Sequence, residues 1–260
     1  MKVFTSYYLD TPIVIGRVFD VLQPEEITQE TAIFLIHGGG WRAGSRTEYH
    51  KLMEAFAQRG YVVASTDYRL DAKDAFEQLQ DVREAYNAFV TLLKQQDRPL
   101  KIAVFGASAG AHLASLLLCA APGECGEEVH LANPWVKPEA GILQATPVDL
   151  YPWEGMMPQT WAMFKSIVGV PYETHREVYE RLSLCNYIRP DNPRLFFMEA
   201  ELEHLFFSEY TKDIQKKHLS WGIPSRWIVY DKMEHGFFYE IKREMQKKAL
   251  DNFCDFLENR

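Results

Sequence analysis

Six short apolar runs, separated by amphipathic stretches, constrain the fold of this chain more than any other feature. They are 31–36 (TAIFLI), 61–65 (YVVAS), 102–105 (IAVF), 141–145 (GILQA), 195–198 (LFFM) and 226–230 (RWIVY). Runs this short that are apolar at consecutive positions suit strands buried on both faces, because neighbouring side chains point to opposite sides of a sheet. Helical periodicity over 48–59 and 75–94 lies between them, and a terminal helix is expected over about 241–257. Strand and helix therefore alternate, which predicts an α/β fold: a mostly parallel central sheet with helices on both faces. The alternation in 13–19 adds antiparallel strands at one edge. The segment 151–188, with prolines at 152, 158 and 171, is long for a connection. It is read as a small helical cap inserted over the sheet, against the plainer alternative of a crossover helix with long flanks.

At 260 residues the chain can bury one large core, so a single domain over 1–260 is expected. The 16 Phe, 13 Tyr and 6 Trp argue against a long disordered region. A formal charge of −8 argues against a nucleic-acid binder and offers no polybasic membrane anchor. Cys119, Cys125, Cys185 and Cys254 have neither disulfide-framework nor zinc spacing, so free thiols and no bound metal are expected. Asp10 and Pro12 interrupt any signal-peptide apolar core, and no run approaches a membrane span; a cytoplasmic location is the default expectation.

Two motifs carry chemistry. Gly106-Ala107-Ser108-Ala109-Gly110 follows an apolar run and precedes the helical pattern AHLASLLLCA. A serine on a sharp strand-to-helix turn leaves no room for side chains two positions either side, and glycine meets that demand. His37-Gly38-Gly39-Gly40-Trp41 follows another run, and its bare backbone can point N–H groups at an oxyanion. A phosphate cradle is the other use of such a loop, but neither G-x-G-x-x-G nor a P-loop Lys-Ser/Thr pair is present. A serine nucleophile needs an imidazole, and His235 stands out among eight histidines. It follows the last apolar run and precedes Gly236, which suits a loop at the carboxyl edge of the sheet. His112, one turn beyond Ser108, suits packing.

With HGGGW at 37–41, DYRL at 67–70, QDVREA at 80–85, GASAG at 106–110 and EHGF at 234–237, the chain resembles α/β-hydrolases of the hormone-sensitive-lipase-like carboxylesterase group over nearly its whole length. The resemblance implies Ser108 as nucleophile, His235 as general base and an oxyanion hole from the N–H groups of Gly39, Gly40 and Ala109. It implies bracing roles for His37 and Asp67. The acid is expected between serine and histidine in chain order, which points to Glu203 in place of the usual Asp, with Glu201 as its rival. Trp41 and the cap aromatics Tyr151, Trp153, Trp161 and Phe164 are candidates for a substrate pocket, made adaptable by Met156 and Met157.

The expected activity is hydrolysis of short, acetyl-type carboxylic esters through an acyl-enzyme, with no cofactor. The expected partner is a small-molecule ester, with no nucleic acid and no membrane; a homodimer stays open. Arylformamidase-like cleavage of an N-formyl amide and feruloyl or xylan-acetyl esterase activity are the enzyme alternatives. A degenerate hydrolase acting as a ligand receptor is the non-enzyme alternative, against which the intact serine and histidine argue.

Overall fold

The computed structural model describes residues 2–7, 17–98 and 101–259. The strands are β1 (Lys2–Tyr7), β2 (Val18–Gln23), β3 (Thr31–Ile36), β4 (Val63–Thr66), β5 (Lys101–Ala107), β6 (Ala140–Gln144), β7 (Arg194–Ala200) and β8 (Arg226–Tyr230). They form one sheet in the order β1-β2-β4-β3-β5-β6-β7-β8. The β1–β2 and β2–β4 pairs are antiparallel, and every other pair is parallel. The mostly parallel α/β architecture is therefore as the apolar runs require. Of the alternation read in 13–19, residues 13–16 lie outside the described residues; β2 starts at Val18.

The two faces of the sheet explain the unbroken apolar runs. Phe34, Ile36, Ile102, Val104, Leu195 and Phe197 pack on one side with helices α2 (Ala75–Gln95) and α3 (Ala109–Cys119). Ile33, Leu35, Ala103, Phe105, Phe196 and Met198 pack on the other with α1 (His50–Ala57) and α7 (Glu244–Leu257). The central strands β3, β5, β6 and β7 feed both cores, so a polar side chain along them has to be buried. Helix ends depart from the sequence pattern for local reasons. A 3-10 turn at Arg46–Tyr49 precedes α1. The last helix starts at Glu244 because Gln246 Oε1 accepts both the Lys242 and Arg243 N–H groups, at 2.8 Å each.

The long connection between β6 and β7 holds α4 (Pro158–Val168), α5 (Arg176–Arg181) and a 3-10 turn at Leu184–Tyr187. Proline at the first helical position and Gly169 at φ 79° bound α4. Phe164 of α4 is buried, 6.0 Å from Trp41 and 6.2 Å from Phe206 by ring centroids, which lays this helix across the carboxyl edge of the sheet. Tyr179, Leu182 and Leu184 join the core on the α2–α3 side, so the same segment also makes the crossover that a parallel β6–β7 pair demands. A final helix, α6 (Ser208–Ser220), links β7 to β8. No helix of the described residues is long and apolar enough to cross a membrane, and all four cysteines are free.

Candidate active site

Ser108 sits between β5 and α3 with φ 53° and ψ −120°, a backbone conformation that L-residues rarely hold. The surroundings enforce it. A Cβ on Gly106 would lie 2.2 Å from the Gly110 carbonyl oxygen, and one on Gly110 would lie 2.2 Å from that of Ile36. No side chain fits at either place, so both glycines are steric requirements of the turn. The Ser108 N–H donates to Gln144 O at 2.9 Å, and Ser108 O accepts the His112 N–H at 3.0 Å as the helix begins. Ala109 is thus the first residue of α3, where N–H groups lack intrahelical partners. The serine side stays reachable, with 9% of Ser108 exposed.

The glycine loop beside it is held by hydroxyls and an imidazole. The Tyr68 hydroxyl donates to His37 O at 3.0 Å, and the Gly38 N–H donates to Tyr239 Oη at 3.2 Å. His37 Nδ1 lies 2.7 Å from Gly38 O; since a carbonyl only accepts, Nδ1 carries the proton. His37 stacks on Tyr68, and burial holds its pKa below the ordinary imidazole value, so it stays neutral. Asp67 accepts the Arg46 N–H at 2.6 Å and pairs with its guanidinium, and lies 4.0 Å from His37 Nε2. Gly39 (φ 108°) and Gly40 (φ 58°) are left-handed, and a Cβ on Gly39 would meet Ala43 O at 2.1 Å. Gly38 bridges the serine to the histidine loop: a Cβ there would be 3.4 Å from Ser108 Cβ and 2.6 Å from Tyr239 Oη.

His235 and Glu203 meet directly. His235 Nδ1 donates to Glu203 Oε2 at 2.7 Å, while Glu203 Oε1 accepts the Leu205 N–H at 2.8 Å and the His204 N–H at 3.0 Å. Burial alone would push the Glu203 carboxyl up, but the His235 contact and the two backbone donors outweigh it and hold it below the ordinary value. Among the described residues His235 Nε2 makes no hydrogen bond, which leaves it available as an acceptor. The two loops are stitched by backbone bonds from Glu201 N to Tyr230 O (3.1 Å) and from Leu202 N to Met233 O (2.9 Å). A paired Arg243–Glu234 contact fixes the residue before His235. Glu201 points elsewhere, accepting the Lys232 N–H at 2.6 Å from an exposed position.

The three candidate pocket tryptophans part company. The expectation for Trp41 is corrected: its ring is 1% exposed and its indole N–H donates to His112 Nδ1 at 3.3 Å. His112 completes that pair by donating Nε2–H to Leu182 O at 2.7 Å, and burial pushes its pKa down to about 4. Trp161 packs on Tyr172 and Tyr179 at 5.6 and 5.8 Å. Trp153 alone borders a cleft beside the acid loop, with Met156, Met157, Phe206, Phe207 and Glu203. Among the described residues no group of three or more His, Cys, Asp or Glu could hold a metal ion.

Sequence reasoning missed two residues here. Tyr239 braces the glycine loop through a contact 201 positions apart, for which no local signal exists. Glu199, on β7 four residues before Glu203, is a fully enclosed carboxyl whose neighbours favour its neutral form. Thr211 Oγ1 lies 2.7 Å from Glu199 Oε1 and 2.8 Å from Ser208 O, and it also accepts the Trp227 indole N–H at 3.1 Å. One hydroxyl proton cannot serve both acceptors; a protonated Glu199 that donates to Thr211 satisfies the whole set. Burial pushes the Glu199 pKa up to about 7 and the Glu203 charge adds to it; only a Thr211 hydroxyl turned to donate to the carboxylate would oppose this. The folded state therefore holds a proton that the unfolded chain releases, and stability falls as pH rises from about 4.5 through about 7. The total is on the order of 3 kcal/mol. Glu199→Gln is expected to raise Tm relative to wild type at pH 8 but not at pH 5; a pH-independent Tm difference would refute a neutral Glu199.

A rabbit (Oryctolagus cuniculus) arylacetamide deacetylase is 39% identical over 95 residues, which are 34% of this chain and 24% of that protein's length. Esterase 2 of Thermogutta terrifontis, solved phosphonylated by sarin, superposes with a TM-score of 0.81 at 21% identity, over 98% of this chain and 94% of its own. The same esterase has been solved with butyrate bound. Esterase B of Lactobacillus rhamnosus superposes with a TM-score of 0.80 at 16% identity, over 99% of this chain and 85% of its own. These likenesses establish the α/β-hydrolase fold. The family model described as BD-FAE matches residues 19–217, so the chain belongs to that family of hormone-sensitive-lipase-like α/β-hydrolases.

Proposed function

We propose that the protein hydrolyses carboxylic esters of short acyl groups, acetyl-type esters foremost, through an acyl-enzyme on Ser108. The observation that carries this reading is the 2.7 Å Glu203–His235 bond on loops that converge, through Tyr239 and Gly38, on a serine held in a strained turn. Ser108 Oγ attacks the ester carbonyl while His235 Nε2 takes its proton, and Glu203 orients the imidazole and stabilises its charged form. The N–H groups of Gly39, Gly40 and Ala109 receive the developing oxyanion. Collapse breaks the ester C–O bond, with the His235 proton passing to the departing alcohol. Water, activated by the same imidazole, then releases the acid. The chemistry is carried by side chains and backbone N–H groups, and the substrate is a small molecule met in solution.

Short acyl groups are favoured because α4, with Phe164 packed between Trp41 and Phe206, fills space above the carboxyl edge. The butyrate complex of the structurally similar Thermogutta esterase supports the same scale. Across p-nitrophenyl acetate, butyrate and octanoate, kcat/KM is expected to drop by at least about tenfold at octanoate. Acetylated xylan oligosaccharides and N-formylkynurenine belong in the same assay. A clear preference for N-formylkynurenine would reassign the enzyme as a formamidase.

A further inference from the structure

The glycine loop closes on itself before it reaches α1. Gly39 O accepts the Arg42 and Ala43 N–H groups at 3.2 and 2.9 Å, and a Cβ on Gly44 would lie 2.6 Å from both Gly38 O and His37 Nδ1. The returning limb therefore rests against the limb that leads into Gly39 and Gly40. Two positions further on, Arg46 is gripped through its backbone and its side chain. Its N–H donates to Asp67 Oδ1 at 2.6 Å, its Nη1 donates to Asp67 Oδ2 at 2.5 Å, and its carbonyl accepts the Ser65 hydroxyl at 2.9 Å. Its Nε lies 3.0 Å from Oδ1 of Asp20, on β2. Asp20 is 3% exposed and accepts the Thr5 hydroxyl and the His50 Nε2–H, each at 2.7 Å. One guanidinium thus joins a buried carboxylate on β2 to the carboxylate that follows β4, its neighbour in the sheet.

We propose that Arg46 is a positioning residue for the oxyanion hole: by clasping Asp20 and Asp67 it sets where the Gly39 and Gly40 N–H groups point. The assignment rests on the ester hydrolase reading above, which gives those N–H groups their task. Gly39 and Gly40 have no side chains to hold them at φ 108° and 58°, so their place depends on what grips the loop around them. The entering limb is held by the Tyr68 and Tyr239 hydroxyls. Arg42 reaches the carbonyls of Ala72 and Ser166 from an exposed side chain, which ties the loop to the cap. Arg46 ties the returning limb to the sheet. A planar fork can face two carboxylates at once, whereas the single ammonium of a lysine cannot do so in a fixed geometry. Hydrogen bonds weaken steeply with angle, so a small rotation of the loop costs most where charge develops on the oxyanion.

The test compares wild type with Arg46→Lys, Asp20→Asn and Arg46→Ala. Active sites are counted by the p-nitrophenol released when diethyl p-nitrophenyl phosphate phosphorylates Ser108, so an unfolded fraction drops out of the rates. For each protein, kcat/KM on p-nitrophenyl acetate is set beside Ki for a trifluoromethyl ketone. Ser108 Oγ adds to that ketone's carbonyl, its proton passes to His235, and the adduct oxygen takes the place of the oxyanion. Per site, kcat/KM is expected to fall about fivefold in Arg46→Lys and Asp20→Asn and about thirtyfold in Arg46→Ala, with Ki rising by the same factors. Should Arg46→Ala fail to fold, the two milder variants decide. Rates within twofold of wild type in both of them overturn the positioning role, as does a fall in kcat/KM that leaves Ki unchanged. A wild type that neither turns over the acetate nor releases p-nitrophenol from the phosphate would remove the ester hydrolase reading and Arg46's role with it. An active wild type with unaffected variants removes the role alone.

Discussion

Ser108→Ala is expected to lose at least about 10⁴-fold in kcat/KM on p-nitrophenyl acetate while melting close to wild type. The two halves of that expectation come from different physics. Removing Oγ removes the nucleophile, and the dyad and oxyanion donors left behind give only residual catalysis. Stability is spared because alanine inherits the same φ 53° turn, whose shape is set by the neighbouring backbone and not by the hydroxyl. Ser108→Gly separates these contributions further. It should be equally inactive yet more stable by about 1 kcal/mol, since glycine releases the strain that an L-residue stores at this turn. Turnover within tenfold of wild type in Ser108→Ala would exclude Ser108 as nucleophile. A Gly variant no more stable than the Ala variant would show that the turn is not strained.

The sheet was legible in the sequence because each strand is buried on both faces, which writes a short unbroken apolar run into the chain. The serine turn was legible for a similar reason. Its steric demand falls within five residues, so Gly106 and Gly110 announce it locally. What could not be read is whatever depends on contacts across the fold. Glu201 and Glu203 are chemically equivalent in sequence, and long-range backbone bonds to Tyr230 and Met233 determine which one turns toward His235. Trp41, next to three glycines, looks like a pocket residue until its indole is seen to be bonded to His112 beneath α4. Phe206 and Phe207 read as one apolar pair, but one ring is buried beside Phe164 and His235 while the other faces water. Adjacent residues were separated by a helix start that leaves no strong signature, since Phe207 makes no side-chain cap bond.

The sharpest consequence of the acid-loop geometry concerns Glu203→Gln. Three donors converge on the two Glu203 oxygens: the His204 and Leu205 N–H groups on Oε1, and His235 Nδ1 on Oε2. A carboxylate accepts all three. An amide cannot, because one of its two ends is itself a donor. If the amide oxygen stays with the two backbone N–H groups, the NH₂ faces His235 Nδ1 and favours the tautomer with its proton on Nε2. That imidazole cannot take a proton from Ser108. If the amide flips, it restores the useful tautomer but sets NH₂ against the two backbone donors of a partly buried loop. It still lacks the charge that stabilises the imidazolium. Either way kcat/KM is expected to fall by about 10³–10⁴. Glu201→Gln should stay within about threefold, because its carboxylate contacts only the exposed Lys232 N–H, a bond an amide oxygen can keep. Since the Glu203 carboxyl is held below the ordinary value, its contribution to stability is present near neutral pH and is lost only as pH falls below about 4.5 through the folded-state value. Glu203→Gln should therefore lower Tm at pH 7, with the gap to wild type narrowing at pH 3. A larger kinetic loss in Glu201→Gln than in Glu203→Gln would transfer the acid role to Glu201. Equal, small losses in both would mean that His235 is oriented without a carboxylate.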